Sequence, residues 1–191
     1  MSSFADCAAD PAIVAAARAG ERSAHAALYE IFAAAVYTLA FRILQSPAAA
    51  DEVVQDTFVE VIRNISNFDG RGPCGAWIRR IAVNKCLMQL RSPWRRRMPW
   101  PGAFEQVPAL PASDVPAGLD LERALAQLSE RARAVLWLHD VEGYTHREIG
   151  RLLGRTASFS KSTLARAHSR LRVLLGEPEE SLPCTHALTS C

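Results

Sequence analysis

The stretch Thr145-His146-Arg147-Glu148-Ile149-Gly150-Arg151-Leu152-Leu153-Gly154 decides the fold. Thr145 is a good N-cap residue, and Glu148, three positions on, can return its hydrogen bond, which makes a capping box at a helix start. Gly154 predicts a turn after Leu153. From there to Leu175 the chain keeps a helical period and carries Arg155, Lys161, Arg166, Arg170 and Arg172 without one acid. Two helices joined by a short glycine turn, the second of them basic, read as a helix-turn-helix. The second helix of such a pair can enter the major groove of B-DNA, where its early exposed side chains reach base edges. Here those candidates are Lys161, Ser162, Thr163, Ala165 and Arg166. Thr145 and Arg147, opening the first helix, can hold a phosphate on backbone N–H groups and a cation.

Working back along the chain, Leu121, Leu125 and Leu128 mark a short helix, and Ser129-Glu130-Arg131-Ala132 opens another that Gly143 breaks. Six of the eleven prolines fall between Ser92 and Gly118. Proline has no backbone donor and is excluded from helix interiors, so this stretch reads as an extended linker. Before it, Asp10-Pro11 starts a helix, and a second covers Arg22 to Leu44 with Leu28, Ile31, Phe32, Ala35, Leu39 and Ile43 on its apolar side. Ser46-Pro47 starts a third, where Val53, Val54, Thr57, Phe58, Val61 and Ile62 form the apolar repeat opposite Glu52, Asp56 and Glu60. Residues 67–73 form a loop by their turn chemistry, and a fourth helix from Ala76 to Leu90 buries Trp77, Ile78, Ile81 and Ala82. No period-two run suggests a strand. The expectation is an all-α chain of two small domains: residues 1–91, a linker over 92–118, a helix-turn-helix domain over 119–175, and a flexible tail over 176–191.

Charge is distributed in blocks. The net charge is only +2, yet residues 70–104 and 149–176 contain no Asp or Glu and hold fourteen of the 22 Lys and Arg residues. Two separate basic faces suggest two contacts with a polyanion, although solvated helix faces have the same composition. With 49% hydrophobic residues among 191, the chain can bury a core. No apolar run is expected to span a bilayer, and the N-terminus lacks the basic start and apolar stretch of a signal peptide, so a cytoplasmic location is expected. Five scattered cysteines argue against a disulfide scaffold. No phosphate-binding glycine loop, nucleophile elbow or zinc-protease helix is present, and His25, His139, His146, His168 and His186 show no spacing that pairs one with a nucleophile. The chain is not expected to be an enzyme, and no cofactor or metal is called for.

Read together, the two halves resemble the ECF subfamily of bacterial RNA polymerase sigma factors. Asp51-Glu52-Val53-Val54-Gln55-Asp56-Thr57-Phe58 is similar to that family's polymerase-binding helix, and Trp77-Ile78-Arg79-Arg80-Ile81-Ala82-Val83-Asn84 to its promoter-melting helix. Leu128-Ser129-Glu130-Arg131-Ala132-Arg133 and Glu142-Gly143-Tyr144-Thr145-His146-Arg147-Glu148-Ile149-Gly150 resemble the opening of its second domain. Lys161-Ser162, Arg166-Ala167 and Leu171-Arg172 fall at the family's spacing in the recognition helix. The likeness runs from about Asp10 to Leu175.

The resemblance implies that Asp51, Glu52, Gln55 and Asp56 bind the polymerase clamp. It implies that the loop from Asn67 through Asp69 to Arg71 catches a base flipped from the minus-ten element, with Arg79, Arg80, Asn84 and Lys85 holding the adjacent strand. Thr145, Arg147, Lys161, Ser162, Thr163 and Arg166 would read the minus-thirty-five element, with the second domain seated on the polymerase flap. The linker, with Arg95, Arg96 and Arg97, would thread toward the active-site channel. An anti-sigma factor is a further expected partner. Arg155 and Phe159-Ser160 depart from the family pattern, since Ser160 occupies a position that is usually buried and aliphatic. A helix-turn-helix regulator acting without polymerase would leave the acidic helix and the Trp77–Asn84 block without a role. A purely protein-binding adaptor would leave both basic blocks unexplained. The tail stays open between an unstructured extension, a soft-metal site using Cys184, His186 and Cys191, and a reversible Cys184–Cys191 disulfide.

Overall fold

In the computed structural model, which describes Phe4, residues 7–91 and residues 117–176, the described residues form eight α-helices, five of them opened by a side-chain cap, and no strand forms among them. Residues 92–116 of the expected linker and 177–191 of the expected tail, with Arg95–Arg97 and the Cys184, His186 and Cys191 set, lie outside the described residues, and a helix already begins at Ala117, two residues before the expected start of the helix-turn-helix domain. Asp10 caps α1 (Pro11–Arg18) by accepting from the Ala12 amide at 2.8 Å. Helix α2 (Arg22–Leu44) ends on Gln45 in the left-handed region, and Ser46 at once caps α3 (Pro47–Asn64). That tight connection sets α2 and α3 side by side. A short 3-10 turn (Ile65–Asn67) and a loop lead into α4 (Cys74–Arg91), which starts two residues earlier than expected.

The core of this half is the interior of the bundle: Leu28, Phe32, Val36, Leu39 and Ile43 of α2, Val53 and Val61 of α3, and Ile78 and Val83 of α4 are essentially inaccessible. Two sequence expectations are corrected here. Helix α2 is 23 residues long and contains an 18-residue stretch with a mean hydropathy of 1.5, so one helix is long and apolar enough to cross a membrane. Its apolarity is used instead in the bundle, where α1, α3 and α4 all pack on it. Ile62 is 49% exposed, one helical step outside the buried stripe that ends at Val61. Trp77 is half-buried against Phe68, with ring centroids 5.4 Å apart.

The second half contains α5 (Ala117–Ala126) and α6 (Glu130–Leu136), whose N-cap Ser129 accepts from the Ala132 amide. A π-helical turn (Trp137–Val141) follows. Then come α7 (His146–Leu153) and α8 (Ala157–Leu174). Val135, Leu138, Ile149, Leu164 and Ala167 are buried in its core.

Candidate nucleic-acid interface

The helix-turn-helix is fixed by local chemistry at three points. Both arms of the capping box form: the Glu148 amide donates to Thr145 Oγ1, and the Thr145 amide donates to Glu148 Oε2 at 2.8 Å. These bonds hold the Glu148 carboxyl below its ordinary range. Gly154 takes φ +64, which a side chain would strain. Gly150 packs against the backbone of the turn, where an added Cβ would lie 2.9 Å from both Arg155 O and Thr156 C. Thr156 then caps α8 through the Phe159 amide at 3.1 Å.

On α8, Lys161, Ser162, Ala165 and Arg166 are exposed, as is Arg147 on α7. Thr163 is not: it is 7% exposed and faces the core with Leu164 and Ala167, so it leaves the reading face. The physical reason is the 100° step per residue, which carries Thr163 from the exposed side of Ser162 to the buried side. Thr145 is exposed, but its hydroxyl is committed to the capping box.

The departure at Ser160 has a structural account. Ser160 is fully buried, and its Oγ pairs with His146 Nδ1 at 3.1 Å, so the hydroxyl is satisfied across α7 and α8. His146 stacks on His139 at 4.4 Å. Asp140 hydrogen-bonds to His168 at 2.6 Å and to His139 at 2.9 Å. Burial alone would raise the Asp140 carboxyl, but these two imidazoles outweigh it and hold it below its ordinary value. Sequence spacing gave no sign of this cluster, because its members come from three elements. No group of three or more His, Cys, Asp or Glu among the described residues is arranged to hold a metal ion.

In the first half, Asp51, Glu52, Gln55 and Asp56 all lie on the exposed face of α3. Val59, 45% exposed, and Ile62 extend that face with an apolar patch. Asn67, Asp69 and Arg71 are exposed at the 3-10 turn and loop, where Asp69 accepts from the Arg71 amide at 3.0 Å. On α4, Arg80 and Asn84 are exposed four residues apart and share one face. Lys85 turns toward α3 and lies 3.5 Å from Glu60 Oε2.

Arg79 is occupied elsewhere. Its Nη1 donates to the Glu142 carbonyl at 2.8 Å and lies 3.7 Å from the Glu142 carboxylate, while its guanidinium sits 5.0 Å over the Tyr144 ring. The Glu142 side chain is only 3% exposed and also accepts from Trp137 Nε1 at 3.2 Å. Burial pushes its carboxyl above the ordinary range, against the opposing pull of Arg79. Three more arginines, missed in the sequence, join the halves. Arg133, 6% exposed, donates to Ile43 O at 3.2 Å and to Leu128 O at 2.6 Å. Arg42 pairs with Glu122 at 2.8 Å, and Arg91 donates to Leu152 O.

Comparison with known proteins places this architecture. Sigma-70 region 2 matches residues 28–96, and Sigma-70, region 4 matches residues 118–171. The ECF RNA polymerase sigma factor SigE of Mycolicibacterium smegmatis is 33% identical over 149 residues, which cover 74% of this chain and 58% of that protein. The ECF RNA polymerase sigma factor SigM of Mycobacterium tuberculosis is 31% identical over 171 residues, covering 87% of this chain and 85% of its own. Among solved structures, the sigma factor RpoE in complex with the anti-sigma factor NepR from Bartonella quintana superposes with a TM-score of 0.55. It is 27% identical and covers 75% of this chain and 91% of that one. With both regions in order and a relative matched over most of its length, this chain belongs to the ECF sigma factors, which direct promoter-specific transcription initiation by RNA polymerase.

Proposed function

We propose that this sigma factor binds core RNA polymerase through the acidic face of α3 and aims it at promoters by reading two DNA elements. Asp51, Glu52, Gln55 and Asp56 meet basic groups of the polymerase clamp. The Asn67–Arg71 loop takes a base flipped from the minus-ten element, and Arg80, Asn84 and Lys85, with Arg79 once it is free, hold the neighbouring strand by its phosphates and help to melt the DNA. Arg147 and the exposed α8 face of Lys161, Ser162 and Arg166 read the minus-thirty-five element, with the second domain resting on the flap. Thr163 has no part in this reading. The chemistry of RNA synthesis belongs to the polymerase, so the protein works beside it in the cytoplasm. An anti-sigma factor is a fitting partner, since the neighbour RpoE is held by NepR.

The observation that carries this reading is the exposure of Lys161, Ser162 and Arg166 on the second helix of a fully capped helix-turn-helix. Lys161→Ala or Arg166→Ala should weaken minus-thirty-five discrimination by about 1–3 kcal/mol where the contact is to a base. A contact to phosphate would instead weaken all sequences alike and lower the salt slope by about one. If both variants transcribe from a mapped promoter like the wild type, α8 is not the recognition helix.

A further inference from the structure

Phe159 is a large aromatic residue that the core of the second half does not claim. It belongs neither to the buried cluster nor to the partly buried side chains packed against it, although Leu152, Leu153 and Leu171 of the same helix pair do. On the side of the first half it lines a cleft of about 330 Å³ with Leu87 and Leu90, so the ring is not filled in there either. The neighbouring departure from the family pattern, Ser160, is accounted for by its bond to His146. Packing gives no such account of Phe159.

Its place on α8 supplies one. Phe159, Ser162 and Arg166 stand at i, i+3 and i+7 and share one strip of the helix. Ser162 Oγ donates to Phe159 O at 3.1 Å, which ties the two residues together at the N-terminal end of that strip. Arg155, exposed in the turn before α8, holds its guanidinium 5.8 Å over the Phe159 ring. No carboxylate pairs with Arg155 among the described residues, so the ring is what orients it. The strip thus opens on a half-buried ring with a cation on one face and continues into two hydrogen-bonding side chains.

We infer that Phe159 is a specificity residue of the minus-thirty-five reading: its ring makes the apolar contact to the 5-methyl group of one thymine, and Arg155 holds the ring in place. The inference rests on the reading of α8 as the recognition helix. In a helix-turn-helix the N-terminal residues of the second helix reach base edges in the major groove. Thymine alone presents a methyl group there, and an apolar side chain detects it where a hydrogen-bonding one cannot. A cytosine at the same place would turn its amino group toward the ring and lose a hydrogen bond to water without replacement. Ser162 and Arg166, farther along the strip, keep their donors for the neighbouring base pairs or phosphates.

The test uses holoenzyme assembled from core polymerase and the full chain, with a mapped promoter whose minus-thirty-five thymines are replaced one at a time by deoxyuridine. That change removes the methyl group and keeps the pairing. Wild type should bind about fourfold more weakly at one such site, the worth of one buried methyl group. Phe159→Thr should bind the thymine and uracil promoters equally there, and Phe159→Leu, which keeps an apolar side chain, should retain part of the preference. Arg155→Ala should lower the thymine-to-uracil ratio and Arg155→Lys, which keeps a cation for the ring, should restore most of it. A merely structural role for Arg155 would leave that ratio alone. A mapped element without thymine overturns the proposal, as does a wild type indifferent to every uracil. So does an undiminished ratio in Phe159→Thr, or in Phe159→Leu should the first variant not fold. If Lys161→Ala or Arg166→Ala still impairs discrimination in that case, Phe159 alone leaves the reading face. If both are silent, α8 is not the recognition helix and the proposal falls with that reading.

Discussion

Removing the Arg133 guanidinium should be the most damaging single change among the arginines that join the two halves. Its Nε and Nη1 bond Ile43 O at the end of α2 and Leu128 O before α6, two backbone carbonyls that lie at or just beyond helix ends. The last carbonyls of a helix have no partner within it, so these depend on the side chain. A hydrogen bond from a charged donor is worth about 1.5–3 kcal/mol, and each carbonyl left buried and unpaired adds a cost of similar size. Two such bonds at the low end put Arg133→Ala about 3 kcal/mol below wild type. The weaker 3.4 Å contacts to Leu125 O and Ala126 O are left out of this figure. For a chain of nearly 200 residues, that corresponds to a Tm about 6–12 °C lower. Arg133→Lys should fall between, because one ammonium cannot serve both carbonyls at the angles a planar guanidinium reaches. Thermal melts followed by circular dichroism at 222 nm measure this directly. A shift below about 2 °C for Arg133→Ala would refute the assignment of Arg133 as the tie between α2 and α6.

Gly150→Ala should cost about 1–3 kcal/mol, since the new methyl meets rigid backbone at Arg155 and Thr156, and urea melts should show it. Asp56→Lys should sharply reduce pull-down of core polymerase with helicity unchanged, because it reverses a charge on the exposed α3 face.

The helix boundaries were legible because their determinants are local. Asp10, Ser46, Ser129 and Thr145 announce four starts, and each makes the cap its type suggests. Exposed faces were legible to about one residue. Ile62 and Thr163 each lie one step from the boundary of a stripe, where a 3.6-residue period does not decide the side. The contact between the two halves was not legible. Arg79 meets Glu142 across 63 residues and Arg133 meets Ile43 across 90, and nothing in either residue's neighbourhood specifies so distant a partner. The histidine cluster was hidden for a related reason. Asp140 finds His168 because α6, which the π-helical turn continues, packs on α8, and Ser160 is tolerable inside because His146 faces it. The departure from the family pattern at Ser160 is a hydrogen bond between the two helices of the helix-turn-helix.

The central claim, that this chain aims core polymerase at promoters through two DNA elements, is tested most directly by transcription from purified parts. Core polymerase, the full-length protein and a promoter library from the source genome should yield discrete transcripts that require the protein. Changing either the minus-ten or the minus-thirty-five block of one such promoter should abolish its transcript. Transcripts that appear equally without the protein, or that survive the loss of both blocks, would contradict the account.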